Sequence, residues 1–175
     1  MTGFRRIDPY DFSGEPARMI GKDWTLITAA KGESVNTMTA SWGAIGEMWS
    51  KPAAFTFIRP QRYTHAFVQQ AGQYSIGFFA EKYRRQLALC GQVSGRDVDK
   101  IQECGFGVQW ADGIPYIAQA HTVLLCQTMA VQRLDPSGFA APEIDSRWYE
   151  QKDYHDLFIA AITGVLVRAE EPAAE

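Results

Sequence analysis

Three stretches of the chain carry side chains that could hold a ligand. The first is Asn36-Thr37-Met38-Thr39-Ala40-Ser41-Trp42-Gly43, and Asn36 is the only asparagine in the sequence. Its amide and hydroxyl groups alternate with apolar ones. A strand edge of this kind offers backbone N–H groups and the hydroxyls of Thr39 and Ser41 to a heteroaromatic ring, with Trp42 as an apolar wall. The same alternation also describes a half-buried strand whose Thr and Ser face solvent. The second stretch, Ile58-Arg59-Pro60-Gln61-Arg62-Tyr63-Thr64, ends an apolar run with two arginines and opens a helical pattern with a hydroxyl. Arginine forks and the free N–H groups of a helix start both favour a phosphate. A solvated turn is the plainer reading. The third, Ser94-Gly95-Arg96-Asp97-Val98-Asp99-Lys100, is a glycine-hinged loop of alternating charge. It reads either as a capped helix start or as a source of positive charge beside a ligand. His155, in Asp153-Tyr154-His155-Asp156, precedes the last long apolar run, and a side chain there can point at a site or be structural. His65, beside Thr64, could face the same ligand or solvent.

Charge supports a small anionic ligand. Between Arg59 and Lys100 lie seven basic residues and three acidic ones, so that window is +4 in a chain of net charge -3 and leaves -7 elsewhere. A basic island in an acidic protein suits a small anion better than a nucleic acid, and no nucleic-acid partner is expected.

Several chemistries lack their signatures. No G-x-G-x-x-G, Walker lysine, H-E-x-x-H or G-x-S-x-G occurs, and Gly105-Phe106-Gly107 lacks a third glycine. Cys90, Cys104 and Cys126 are odd in number and have no C-x-x-C spacing, which argues against both a disulfide framework and a four-ligand zinc site and reads as small buried hydrophobes. The histidines have no metal-like spacing. A bound cofactor could still carry redox chemistry.

The elements that must position these groups follow from periodicity. At 175 residues, 46% hydrophobic and 13% aromatic, the chain is read as one domain over 1–175. Its longest apolar runs, Ala53 to Ile58 and Phe158 to Ile162, fall far short of the roughly 20 residues of a membrane span. With no secretory pattern at the N-terminus, the expectation is a cytoplasmic protein without a membrane partner. Strands are predicted over Trp24–Ala29, Met38–Trp42, Ala53–Ile58, Tyr74–Phe79, Thr122–Val131 and Phe158–Val167, separated by turn residues as in an antiparallel barrel. Helical spacing is predicted over Tyr63–Gln70 and Lys82–Leu89, with a short helix over Val98–Cys104 starting near Asp97. The tail from Glu170 to Glu175 is expected to fray.

In order, the blocks N-T-M-T-A-S-W-G, K-P-A-A-F-T-F-I-R-P-Q-R-Y-T, C-G-Q-V-S-G-R-D-V-D-K and D-Y-H resemble the flavin reductase-like, flavoredoxin-type branch of the FMN-binding split barrels. The resemblance runs from about Trp24 to about Val167. It implies a mainly β fold with helical inserts, a six-stranded antiparallel FMN-binding split barrel. It also implies a homodimer holding FMN noncovalently at its interface. Asn36, Thr39, Ser41 and Trp42 would line the ring and ribityl side, and Arg59, Arg62, Tyr63 and Thr64 the phosphate side. Ser94, Arg96 and Lys100 would close over the cofactor, with His155 nearby. NADH or NADPH would be the donor, with an electron carrier served by a redox partner protein, or a monooxygenase reductase component, as alternatives. The family often has a Gly-Glu pair in its last strand, where this chain reads Ile159-Ala160-Ala161-Ile162-Thr163-Gly164. The segment Ala140 to Tyr149 has no counterpart and is expected to shape a substrate entrance.

Overall fold

The computed structural model describes residues 3–141 and 143–169; the tail from Glu170 and Pro142 lie outside them. In chain order the elements are β1 (Phe4–Ile7), α1 (Pro16–Gly21), β2 (Thr25–Lys31), β3 (Ser34–Ala40), β4 (Gly43–Glu47), β5 (Pro52–Ile58), α2 (Tyr63–Ala71), β6 (Gln73–Phe78), α3 (Arg84–Gln92), α4 (Lys100–Glu103), β7 (Val108–Ala111), β8 (Ile114–Ile117), β9 (Thr122–Arg133), α5 (Glu143–Trp148) and β10 (Asp156–Arg168).

Turn chemistry sets the hairpins. Between β2 and β3, Gly32 takes φ +60 as the first of two loop residues, the place where a type II′ turn requires positive φ. Between β7 and β8, Asp112 and Gly113 take φ 52 and 75, the Asp-Gly pattern of a type I′ turn. Helix α2 ends where Gly72 adopts the left-handed conformation.

One sheet of eight strands dominates. Seven follow the order β3-β2-β6-β9-β10-β5-β4, and β1 pairs with the end of β10 that β5 leaves free. The two edges, β3 and β4, are consecutive in the chain. Only Ser41 and Trp42 join them, and three Cα steps reach about 11 Å at most. The end of β3 and the start of β4 must therefore lie close together, and the sheet rolls into a barrel with an unpaired seam at Ser41–Trp42. The expected split barrel is present.

Both faces of the sheet are buried. Ile27, Met38, Phe67, Tyr74, Leu124, Phe158 and Val165 fill the inside. Leu26, Leu87, Cys90, Phe106, Tyr116, Val123, Leu125 and Leu166 form an outer core beneath α3 and the β7–β8 hairpin. Neighbouring residues on β9 thus serve opposite cores, which explains why Val123 to Cys126 are apolar in succession instead of alternating. Fully burying a Phe or Leu such as Phe158 or Leu124 stabilises the fold by about 1.5–3 kcal/mol.

The strand count exceeds the expected six, because β1, β4, β7 and β8 were not foreseen. Strand β4, Gly-Ala-Ile-Gly-Glu, has two glycines and one β-branched residue, so its pattern is weak. The strand expected over Met38–Trp42 runs instead over Ser34–Ala40, because β2 runs out of pairing at Thr25, opposite Ala40. Thr37 is buried and its hydroxyl donates to the Ile27 carbonyl at 3.1 Å, so it does not face solvent. The third helix covers only Lys100–Glu103, and Asp99 instead of Asp97 caps it, accepting from the N–H groups of Ile101 and Gln102.

Candidate functional site

The seam opens into a slot of about 280 Å³. Thr39 comes from the end of β3, Ser41 and Trp42 from the link, Phe57 and Arg59 from the end of β5, Trp148 from the end of α5, and His155 from the approach to β10. Trp42 meets Trp148 edge to face at 5.2 Å and lies 4.8 Å from the His155 ring. The two indoles are 37% and 44% exposed, an open aromatic wall where a large apolar side chain would ordinarily be covered.

His155 shares a hydrogen bond of 2.8 Å between its Nδ1 and the Tyr149 hydroxyl. Burial, and then the positive charge of Arg59, pushes its pKa down to about 4, so its ring is neutral at physiological pH. Arg59 is occupied by protein partners. Its guanidinium pairs with Asp153, donates to the Trp148 carbonyl at 2.8 Å and stands 5.3 Å from the Tyr149 ring centre. It holds the segment around α5 against the end of β5.

A second cavity of about 150 Å³ adjoins the slot, with Arg62 lining both. Gln61, Arg62, Tyr63 and Thr64 face it from the approach to α2 and its first turn, and Gln92, Val93 to Arg96 and Lys100 from the end of α3, the loop after it and the start of α4. No side chain caps the first turn of α2, where the His65 N–H donates to the Arg62 carbonyl at 2.9 Å and the N–H groups of Tyr63 and Thr64 precede it. Arg62 donates to the Gly91 carbonyl at 2.7 Å and the Cys90 carbonyl at 3.3 Å, and burial lowers its pKa. Arg96 donates to the Gln61 carbonyl at 3.1 Å and lies 4.9 Å from the centre of the Tyr63 ring. Lys100, only 3% exposed, donates to the Cys90 carbonyl at 3.2 Å. Burial above all, reinforced by the Arg62 charge, brings its pKa down to about 8. Three cations thus face a cavity whose lining contains no carboxylate.

Close packing fixes the loop. A Cβ on Gly95 would sit 2.2 Å from Oδ1 of Asn36, so only glycine lets the loop pass there. Asn36 in turn donates from Nδ2 to the Thr64 hydroxyl at 2.8 Å, tying β3 to the first turn of α2. A third cavity, of about 380 Å³, lies across the loop and is lined by Asn36, Tyr63, Gly95, Arg96, Asp99 and Lys100 among others.

The structure therefore brings the expected residues together as two adjoining groups. Thr39, Ser41, Trp42, Arg59, Arg62 and His155 line the slot; Arg62, Tyr63, Thr64, Ser94, Arg96 and Lys100 line the cation-rich cavity, and Asn36 bridges to it through Thr64. Arg59 does not line the second cavity. Phe57, Gln61, Gln92 and Trp148 are added. Trp148 carried a signal in the aromatic, unmatched segment before Tyr149, whereas Phe57 looked like any apolar strand residue. His65 is buried, with Nε2 2.7 Å from Asp156, and lines neither cavity.

The donor set fits a phosphate joined to an aromatic ring system: charge-assisted N–H donors and hydroxyls on one side, an indole wall on the other. Comparison with known proteins meets this geometry. Flavoredoxin from Methanosarcina acetivorans superposes with a TM-score of 0.66 at 21% identity, over 85% of this chain and 69% of that one. An FMN-binding domain of a flavin reductases-like enzyme from Shewanella baltica gives 0.69 at 18%, over 94% and 77%. The FMN-binding protein from Thermus thermophilus gives 0.64 at 22%, over 87% and 89%. At these identities the superpositions speak for the fold. No curated protein sequence matches the chain. The family profile described as the flavin reductase like domain matches residues 18–174, which takes in the seam, the slot, both cation-bearing segments and the last strand, so the chain belongs to the flavin reductase-like domain family.

Proposed function

We propose that the chain binds FMN noncovalently and moves electrons from NADH or NADPH through it as a flavin reductase. The observation that carries this reading is the cavity lined by three cations and no carboxylate, joined through Arg62 to a slot walled by Trp42. Arg62, Arg96, Ser94 and Thr64 would hold the phosphate, with Lys100 adding charge from beneath. Asn36, Thr39, Ser41 and Trp42 would hold the ring and ribityl portion. Tyr63, stacked under Arg96, keeps that guanidinium in place. Bound there, FMN would supply hydride and electron acceptance that no side chain of the site provides.

The protein's own part is to orient and to exclude water. Trp42 and Trp148 offer flat apolar surface against which a nicotinamide or other planar partner can pack. Neutral His155 adds no positive charge to the slot, and Arg59 is neutralised by Asp153, so charge is concentrated at the phosphate end. The exposed rim of Trp42 and Trp148 suits coverage by a second copy of the chain, and we assign a homodimer with the site at its interface.

The test is an absorbance spectrum of the purified protein with FMN, followed by anaerobic addition of NADPH and NADH, with the mass of the eluting species measured in the same run. A protein-bound flavin band on a dimer that bleaches on adding nicotinamide is expected. A band that persists identifies a carrier reduced by a partner protein, a use of the same residues that the resemblance to a flavoredoxin favours. Absence of a bound band refutes the FMN assignment.

A further inference from the structure

Cys90 and Cys104 lie 14 residues apart, yet their sulfur atoms are 3.7 Å apart. Cys90 occupies the last turn of α3, fully buried in the outer core, and Cys104 follows α4 and is half-buried. Cys126 belongs to the inner core instead. Their spacing in the sequence carries no sign of a pair, because a loop and the short helix α4 separate the two residues.

What lies between them is the loop that frames the cation-rich cavity. Ser94, Gly95 and Arg96 line it, and the Cys90 carbonyl accepts hydrogen bonds from both Arg62 and Lys100. A change at Cys90 is therefore transmitted to two of the three cations. A covalent link between Cys90 and Cys104 would close a ring around the whole loop.

We propose that Cys90 and Cys104 form a reversible dithiol–disulfide couple that clamps the Gly91–Glu103 segment and so sets the mobility of the cation-bearing loop. The oxidant is of the peroxide class. The more accessible Cys104 thiol attacks hydrogen peroxide, keeps one oxygen as a sulfenic acid and releases water. The Cys90 sulfur then attacks that sulfenic sulfur, the S–S bond forms and a second water leaves. In all, two thiols lose two protons and two electrons, and the peroxide takes them up to become two waters. A dithiol reductant restores both thiols by exchange. Bond formation draws the sulfurs from 3.7 Å to about 2.05 Å. Burial raises both thiols, Cys90 to about 12, so thiolate is scarce at neutral pH and the couple answers sustained oxidation instead of a brief pulse.

The couple does not depend on flavin binding, and its test reads the protein directly. The intact chain is treated with hydrogen peroxide and mapped by non-reducing peptide mass spectrometry. A peptide pair joined through Cys90 and Cys104 is expected, lighter than its parts by about 2 Da, and separated again by dithiothreitol. Cys126→Ser should retain the link, and Cys90→Ser and Cys104→Ser should lose it. In the linked form, tryptic cleavage after exposed Arg96 should slow several-fold and recover on reduction. If the serine variants fail to fold, the wild-type map and its cleavage rate decide alone. A link through Cys126 or between chains, oxidation ending at unlinked sulfinic acid, or an unchanged cleavage rate would overturn the proposal.

Discussion

Arg62 holds two carbonyls of the last turn of α3 and lines both the slot and the cation-rich cavity. Its truncation therefore acts on ligand and scaffold together. A charge-assisted hydrogen bond contributes about 1.5–3 kcal/mol, so Arg62→Ala should weaken FMN binding roughly 10- to 100-fold. The carbonyls it leaves can turn to water, and the melting temperature should fall by only a few degrees. Fluorescence titration beside a thermal melt checks both; unchanged affinity removes Arg62 from the phosphate. Lys100 gives a pH signature. With its pKa near 8, it loses its charge as pH rises from 7 to 9, and affinity for an anion should decline over that window. Lys100→Gln should bind more weakly at pH 7 and show a flatter profile in the same titration. These cations were legible in the sequence because arginine, glycine and a helix start converge in short stretches. The occupation of Arg59 was not, since Asp153 and Trp148 lie some 90 residues away.

The loop after α3 turns on Ser94, whose hydroxyl accepts from the Arg96 N–H at 3.2 Å, and is fixed in place by contact with another element. Gly95 passes over Asn36 of β3, and Asn36 holds the first turn of α2 through Thr64. A methyl group on Gly95 must displace the loop or Asn36, breaking a buried hydrogen bond at a cost of about 1–3 kcal/mol. Gly95→Ala should thus reduce FMN affinity about tenfold or more, whereas Gly46→Ala, on β4 where a Cβ would meet nothing within 4 Å, should leave it unchanged. Equal affinities for the two variants would show that the close approach does not set the loop. At this scale the sequence was readable where local chemistry decides the element. The β2–β3 turn, α2 with its Gly72 stop, and the two long strands all follow their patterns. Strand β4 becomes a strand only by pairing with β5, and α4 is cut to four residues by the Asp99 cap; neither outcome is written in hydrophobic periodicity. The β7–β8 hairpin is different, because Asp112-Gly113 announces its turn and the flanking runs are simply short.

At the scale of the whole molecule, closure depends on the return of the chain from one sheet edge to the other within two residues, a long-range event that strand spacing could suggest but not locate. The same closure buries the start of β10, and with it His155 and Asp156, each 8% exposed. Their titrations give the fold an acid dependence in two separate windows. The folded pKa of His155 is about 4, below the ordinary value near 6.5, so unfolding takes up a proton as pH falls. The associated stability is fully present above about 6.5 and is lost between there and about 4, at up to about 1.4 kcal/mol per pH unit. Asp156, held below the ordinary carboxylate range first by its hydrogen bonds with Arg133, contributes stability that is lost only as pH falls through its lower folded value. His121, lowered by burial and by Arg168, adds a slope of the same sign as His155. Denaturant unfolding from pH 7.5 to 4.5 should therefore show a midpoint that falls steadily in the wild-type protein. In His155→Gln, whose amide can still accept from Tyr149, the fall should be shallower but not abolished, because His121 still titrates. Parallel curves for the two proteins would place the titrating group elsewhere and leave His155 as a packing residue of the slot.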